Sequence, residues 1–114
     1  MNLQEVIDSL QLNLLTEEKD FSTIEVTAGY TSDLLSCVMT GAQDQCIWVT
    51  LIAHNNIVAV ASLLNVAAVI ITEDAQPDET TIARANEQSI TLLSTPSPTF
   101  TIVGQLWDMG LRGT

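Results

Sequence analysis

Apolar and polar residues follow patterns along this chain that change from one segment to the next. Residues 3–10 repeat leucine, valine and isoleucine at helical spacing and predict a short amphipathic helix. Residues 11–16 predict a short strand, and residues 17–20 form a charged turn. Residues 23–27 alternate with a period of two and are rich in β-branched side chains, so they predict a second strand.

The rest of the chain alternates between apolar strands and helices. The runs 46–52 and 67–72 are nearly continuous in apolar residues, as in strands that are covered on both faces of a parallel sheet. A last strand is predicted at 89–94, and helices are predicted from Ser32 to Gly41, at 57–64, at 78–87 and from Thr99 to Gly110. This order predicts an α/β fold, a single domain over residues 1–114 with a mostly parallel β-sheet flanked by helices.

Two helices carry further signals. Ser32 or Thr31 can cap the second helix with its hydroxyl, which would place Asp33 in the first turn and let Gly41 end the helix in a left-handed conformation. The helix at 57–64 is apolar almost all round. Because such a helix needs cover on both sides and the domain is small, we expect a partner subunit on its second side and therefore a homodimer.

Composition excludes several classes of function. The 14 acidic and three basic residues give a net charge of -11, which argues against nucleic acid and anionic membranes as partners. No apolar run is long enough to cross a membrane, and the first ten residues lack the basic start of a signal peptide, so a cytoplasmic location is expected. Cys37 and Cys46 do not form a zinc pattern and are expected to be free thiols, Cys46 being the less reactive.

Small polar residues follow the predicted strands, where parallel sheets bind ligands. The candidate ligand-binding residues are Tyr30, Ser32, His54, Asn55, Thr72 and Ser94. The alternative is that these residues only cap helices and complete the loops.

Motifs for catalysis are missing. The chain has no Walker loop, no GxGxxG and no GxSxG, so we expect no catalytic residues, no metal site and no cofactor. His54, the single histidine, could still act as a base or metal ligand with Glu73 or Asp74, which leaves a small enzyme as a further alternative.

Residues 26–36, 47–61, 68–72, 90–95 and 99–101 resemble the DRTGG domain family. The resemblance implies a fold like the N-terminal domain of HPr kinase/phosphorylase and a regulatory or ligand-sensing module, often dimeric and not catalytic. The TGG element of the family is Thr72-Glu73-Asp74 here, and the GDR element falls near residues 53–55 without its arginine. Because two acids replace glycines, we expect polyphosphates to bind poorly at this place.

Two functions are therefore favoured by the sequence over the small enzyme. The first is a non-catalytic regulatory module that binds a small molecule or a partner protein at the carboxyl edge of the sheet. The alternative is a structural interaction subunit with no small ligand, which docks on a larger enzyme or kinase through helix 57–64 or the final helix.

Overall fold

The computed structural model describes residues 1–113 and contains a five-stranded sheet with helices on both faces. The helices are α1 (Leu3–Leu10), α2 (Leu35–Gly41), α3 (Asn56–Leu64), α4 (Glu79–Glu87) and α5 (Thr99–Asp108), with a 3-10 turn at Phe21–Thr23. The strands are β1 (Asn13–Leu14), β2 (Gly29–Thr31), β3 (Ile47–Thr50), β4 (Ala68–Ile71) and β5 (Leu92–Ser94).

The sheet has the strand order β1-β5-β4-β3-β2. Strands β2 to β5 run parallel, whereas β1 pairs antiparallel with β5 at one edge. The predicted mostly parallel α/β fold is therefore confirmed. The parallel arrangement brings the carboxyl ends of β2, β3, β4 and β5 to the same edge of the sheet.

Alternate residues of the central strands bury against two separate hydrophobic clusters. Ile47 and Ile70 face a cluster built with α1, α5 and the 3-10 turn, while Trp48 and Val69 face one built with α2, α3 and α4. Burying one such side chain contributes about 1.5–3 kcal/mol, so strands covered on both faces become apolar throughout. This explains the continuous apolar runs in the sequence.

The predicted strand at 23–27 is wrong. The backbone there crosses the start of α1 instead of joining the sheet: the N–H of Leu3 donates to the carbonyl of Ile24, and the N–H of Val26 donates to that of Met1. Val26 is buried in the first cluster, which accounts for the strand-like alternation. The sheet begins only at Gly29, where β2 pairs with β3.

The predicted ends of α2 also need correction. The helix begins after Leu34, so Asp33 lies outside its first turn, and neither Thr31 nor Ser32 caps it with a side chain. Gly41 is the last helical residue and lacks the expected left-handed φ. Glycine suits this position for another reason: the Cβ of any other residue would lie 2.5 Å from Cε1 of Tyr30.

Helix α3 is buried on one side only. Ile57, Val58 and Ala61 pack in the second cluster, whereas Leu63 is 69% exposed on the other side. The apolar outer side that the sequence indicated is therefore uncovered in one copy of the chain. None of the helices in residues 1–113 is long and apolar enough to cross a membrane.

Candidate functional site

Four loops meet at the carboxyl edge of the parallel strands. They comprise residues 32–34 after β2, 51–55 after β3, 72–78 after β4 and 95–98 after β5. We call this surface the strand-end edge. The polar side chains within it make a continuous set of hydrogen bonds.

Asp33 ties the first loop to the end of β3. Its Oδ1 accepts hydrogen bonds from Oγ1 of Thr50 at 2.7 Å and from the N–H of Leu51 at 2.9 Å. Oγ1 of Thr50 in turn accepts one from the N–H of Ile52 at 3.1 Å. Thr50 has no exposed surface, whereas Asp33 is exposed, so the hydroxyl donor is buried while the carboxylate stays in contact with water.

Thr72 continues these bonds to α5. Its Oγ1 donates to the carbonyl of Thr50 at 3.4 Å and lies 2.6 Å from Oγ1 of Thr99. The N–H of Thr99 donates to Oε2 of Glu73 at 2.8 Å. Asp33, Thr50, Thr72, Thr99 and Glu73 thus form a chain of hydrogen bonds, the strand-end network, which joins β2, β3, β4 and α5.

Glu73 and Asp74 both adopt the left-handed conformation, with φ of 60° for each. This conformation costs a non-glycine residue roughly 1–2 kcal/mol and favours glycine. The TGG element of the resemblance thus falls where the backbone favours glycine at both positions. In this chain the carboxylate of Glu73 faces the N-terminus of α5, where a negative charge is stabilising.

The N-termini of three helices at this edge are occupied by acceptors from the chain itself. Nδ1 of His54 accepts from the first turn of α3, Oδ1 of Asp78 from the first turn of α4, and Glu73 from that of α5. The side chain of Asn55, which precedes α3, makes no capping hydrogen bond. At each of these N-termini one N–H is thus already bonded within the chain, which leaves fewer donors for an anion.

The environment of Asp78 follows from this capping role. The N–H and then the side chain of Thr81 lower the pKa of Asp78 below its ordinary value, and the nearby imidazole of His54 lowers it further. Both Glu73 and the Nδ1 atom of His54 are engaged in hydrogen bonds with backbone N–H groups.

The predicted ligand residues divide into accessible and inaccessible ones. His54 is exposed, and Ser32, Asn55 and Tyr30 are half-buried. The hydroxyl of Tyr30 donates to the carbonyl of Cys37 at 3.1 Å. Thr72 and Ser94 are 0% and 3% exposed, so they support the loops from beneath and offer no surface to a ligand. Ligand binding by the accessible members stays a prediction.

Exposed apolar side chains surround these polar groups, and the sequence did not reveal them. Leu34 is 59% exposed, Leu51 45% and Phe100 90%. Phe100 fits the helical spacing of the buried face of α5 in sequence, but it lies in the first turn, beyond the end of the sheet. Only the position of the helix relative to the sheet distinguishes it from buried Ile102.

Cys37 and Cys46 are free, as expected. Cys37 is exposed on α2, whereas Cys46 is buried at the start of β3. Burial raises the pKa of the Cys46 thiol to about 11. No cluster of three or more His, Cys, Asp or Glu side chains able to hold a metal ion occurs among residues 1–113.

A separate cavity of about 180 Å³ lies away from the strand-end edge, between β2 and the C-terminal half of α5. Its lining includes Gly29, Tyr30 and Val49 from the sheet and Leu106 and Trp107 from the helix. Tyr30 is the one predicted ligand residue that reaches it. No pattern in the sequence indicates this cavity, because it depends on how closely α5 approaches the edge strand β2.

Comparisons with known proteins agree with this fold. A search of curated proteins gave no significant match. Among solved structures, the CBS and DRTGG domains of the regulatory region of Clostridium perfringens pyrophosphatase, complexed with the activator diadenosine tetraphosphate, match with a TM-score of 0.73 and 18% identity. The match covers 91% of this chain and 45% of the solved one. The family model of the DRTGG domain matches residues 21–109, so this chain belongs to the DRTGG domain family.

Proposed function

We propose that this protein is a non-catalytic regulatory module that binds a small molecule or a partner protein at the strand-end edge. The observation that carries the proposal is the strand-end network, which ties the loops after β2, β3 and β4 to the start of α5 and leaves His54, Ser32 and Asn55 accessible. A surface that is braced from beneath needs little further ordering when it binds, and this favours recognition. The match to a solved regulatory region supports the same class of function.

The non-catalytic part of the proposal rests on how the candidate base and acids are used. A catalytic pair of His54 with Glu73 would need both groups free to move protons, yet each accepts a hydrogen bond from a helix N-terminus. Asp74 is exposed, and its Oδ1 contacts the side chain of Gln76. These contacts favour a structural role for all three side chains.

The chemistry of the edge favours a neutral or cationic ligand. One N–H at the start of each of α3, α4 and α5 is already bonded to an acceptor of the chain, and the chain carries a net charge of -11, so this edge holds an anion less well. The solved relative binds diadenosine tetraphosphate, but this chain spans less than half of that structure. We therefore expect polyphosphates to bind here only when a divalent cation screens their charge.

A thermal-shift screen tests the proposal. Nucleotides with and without magnesium, and a panel of central metabolites, are added to the whole chain, because a ligand of the folded state must raise the melting temperature. A positive response should be lost in the double variant Ser32→Ala with His54→Ala and kept in the control Ser62→Ala, which changes an exposed serine on α3. Thr72→Val is unsuitable because it would break the buried network. A full response in the double variant would place the site elsewhere.

The alternative is an interaction subunit that docks through α3 or α5 and has no small ligand. The exposed Leu63 on α3 and the 56% exposed Trp107 on α5 favour it. If no compound of the ligand panel raises the melting temperature, this alternative becomes the better one.

Self-association is part of the proposal: we expect a homodimer formed through the outer side of α3. Light scattering should give twice the 12.3 kDa mass of the chain, and Leu63→Glu should return the monomer. Phe100→Glu at the strand-end edge is the matched control and should remain dimeric. A monomeric parent chain at micromolar concentration, or a monomer produced only by Phe100→Glu, would contradict this interface.

We also propose that residues 1–114 act as one module in the cytoplasm. Helix α1 and strand β1 lie outside the matched range 21–109, yet Leu3 and Val6 pack in the first cluster and β1 pairs with β5. The two free thiols suit a reducing compartment.

A further inference from the structure

The cavity beside β2 has the features of a small ligand site. Its volume is about 180 Å³, and its lining is almost entirely apolar, with Val49 on the sheet and Val103, Leu106 and Leu111 on the opposite side. A dry apolar cavity of about 150 Å³ takes up benzene in another protein, so this volume suits a single ring or a branched alkyl group.

A fixed cation lies at the border of the cavity. The guanidinium carbon of Arg112 is 3.8 Å from the ring centre of Trp107, and both side chains line the cavity. Nη1 of Arg112 donates to the carbonyls of Trp107 at 2.9 Å and Leu111 at 3.0 Å. Stacking and two hydrogen bonds therefore hold the guanidinium in one orientation.

The remaining donors of Arg112 suit a carboxylate. A guanidinium has five N–H groups, and the bonds of Nη1 leave the Nε and Nη2 side of the fork available. That side can bind the two oxygens of a carboxylate in a bidentate manner. Within residues 1–113 the ion pair formed is that of the N-terminus with Glu25, so Arg112 has no carboxylate partner there.

We propose that this cavity binds a small monocarboxylate with an apolar ring or branched alkyl group. The apolar part fills the space between β2 and α5, and the carboxylate lies against the Nε and Nη2 side of Arg112. This site is distinct from the strand-end edge, and its existence does not depend on the proposed function.

Nitrogen–proton correlation spectra of the whole chain test the proposal, with phenylacetate as the probe and phenylacetamide as its uncharged match. Phenylacetate at millimolar concentration should move the indole N–H signal of Trp107 and leave that of buried Trp48 unchanged. Phenylacetamide should bind about tenfold more weakly, a difference of about 1.4 kcal/mol, because it lacks the negative charge that pairs with the guanidinium.

Three variants separate the contribution of the Arg112 guanidinium to binding from that of the apolar cavity. Arg112→Gln should weaken phenylacetate about tenfold and leave phenylacetamide unchanged, whereas Arg84→Gln, which removes an exposed arginine on α4, should change neither. Val103→Phe should fill the cavity and abolish binding of both probes. If Val103→Phe fails to fold, Arg112→Gln alone decides the outcome. No movement of the Trp107 signal, or equal binding of the two probes, would overturn the proposal.

Discussion

The left-handed pair at the end of β4 allows a prediction that separates backbone strain from helix capping. Glu73 and Asp74 share the same φ, but only Glu73 places its carboxylate on the N–H of Thr99. Asp74 makes only a long contact with Gln76 through its side chain. Replacing each residue with glycine therefore relieves similar strain but removes different interactions.

The expected magnitudes follow from these contacts. Glycine relieves roughly 1–2 kcal/mol of left-handed strain and loses about 0.5–1 kcal/mol through the greater freedom of the unfolded chain. Asp74→Gly should therefore stabilise the protein by about 0.5 kcal/mol. This gain is near the lower end of the difference between the two effects, because aspartate tolerates the left-handed conformation better than most residues. Glu73→Gly should gain a similar amount but lose a helix cap of about 0.5–2 kcal/mol.

Urea unfolding of the two variants measures the difference. We expect Asp74→Gly to be more stable than Glu73→Gly by about 1 kcal/mol, with unchanged m values. Glu73→Gln keeps an acceptor and the strain but loses the charge, and it should be less stable than the parent by about 0.3–1 kcal/mol at low salt. A Glu73→Gly variant that equals or exceeds Asp74→Gly would refute the capping role.

Three further predictions concern the thiols, a capping carboxylate and the strand-end network. Iodoacetamide at neutral pH should modify Cys37 and spare Cys46, because Cys46 is buried and its pKa is about 11. Mass spectrometry counts the adducts, and rapid modification of both cysteines would contradict the buried position of Cys46. Folding lowers the pKa of Asp78. The charged carboxylate therefore stabilises the folded state fully above the pKa of the unfolded state, and this effect is lost as the pH falls through the pKa of the folded state. Asp78→Asn should thus be less stable than the parent above about pH 5 but equal to it at strongly acidic pH, and a constant difference in urea midpoints would contradict this. Thr50→Val should destabilise the protein by about 1–3 kcal/mol by leaving Asp33 without its buried donor, whereas a change near zero would show that the network contributes little.

The sequence predicted the architecture well because the strongest local signals agree with the sheet. Strands β3 and β4 lie within the predicted segments 46–52 and 67–72, since strands covered on both faces must be apolar throughout. The prediction of a strand at 23–27 was wrong because a chain that crosses the end of a helix can also bury alternate residues. Alternation reports burial on one side, and only hydrogen bonding distinguishes a strand.

The sequence predicted where the candidate site lies but not which of its residues are accessible. Parallel strands put four polar loops at one edge, and this follows from the order of the elements alone. Which polar residue is accessible depends on the packing of the loops, so Thr72 and His54 could not be told apart in sequence although one is buried and the other exposed.

The class of fold, the parallel sheet and the edge where its loops meet follow from the sequence, because periodicity and element order are local properties. Packing places Glu73 at the N-terminus of α5, Gly41 against Tyr30, and Arg112 on Trp107 beside a cavity. Glu73 and Thr99 are 26 positions apart in the chain, and the Tyr30 contact and the cavity depend on how the helices pack relative to the sheet. Distances of a few ångströms between packed elements are set by the whole core, and no local pattern records them.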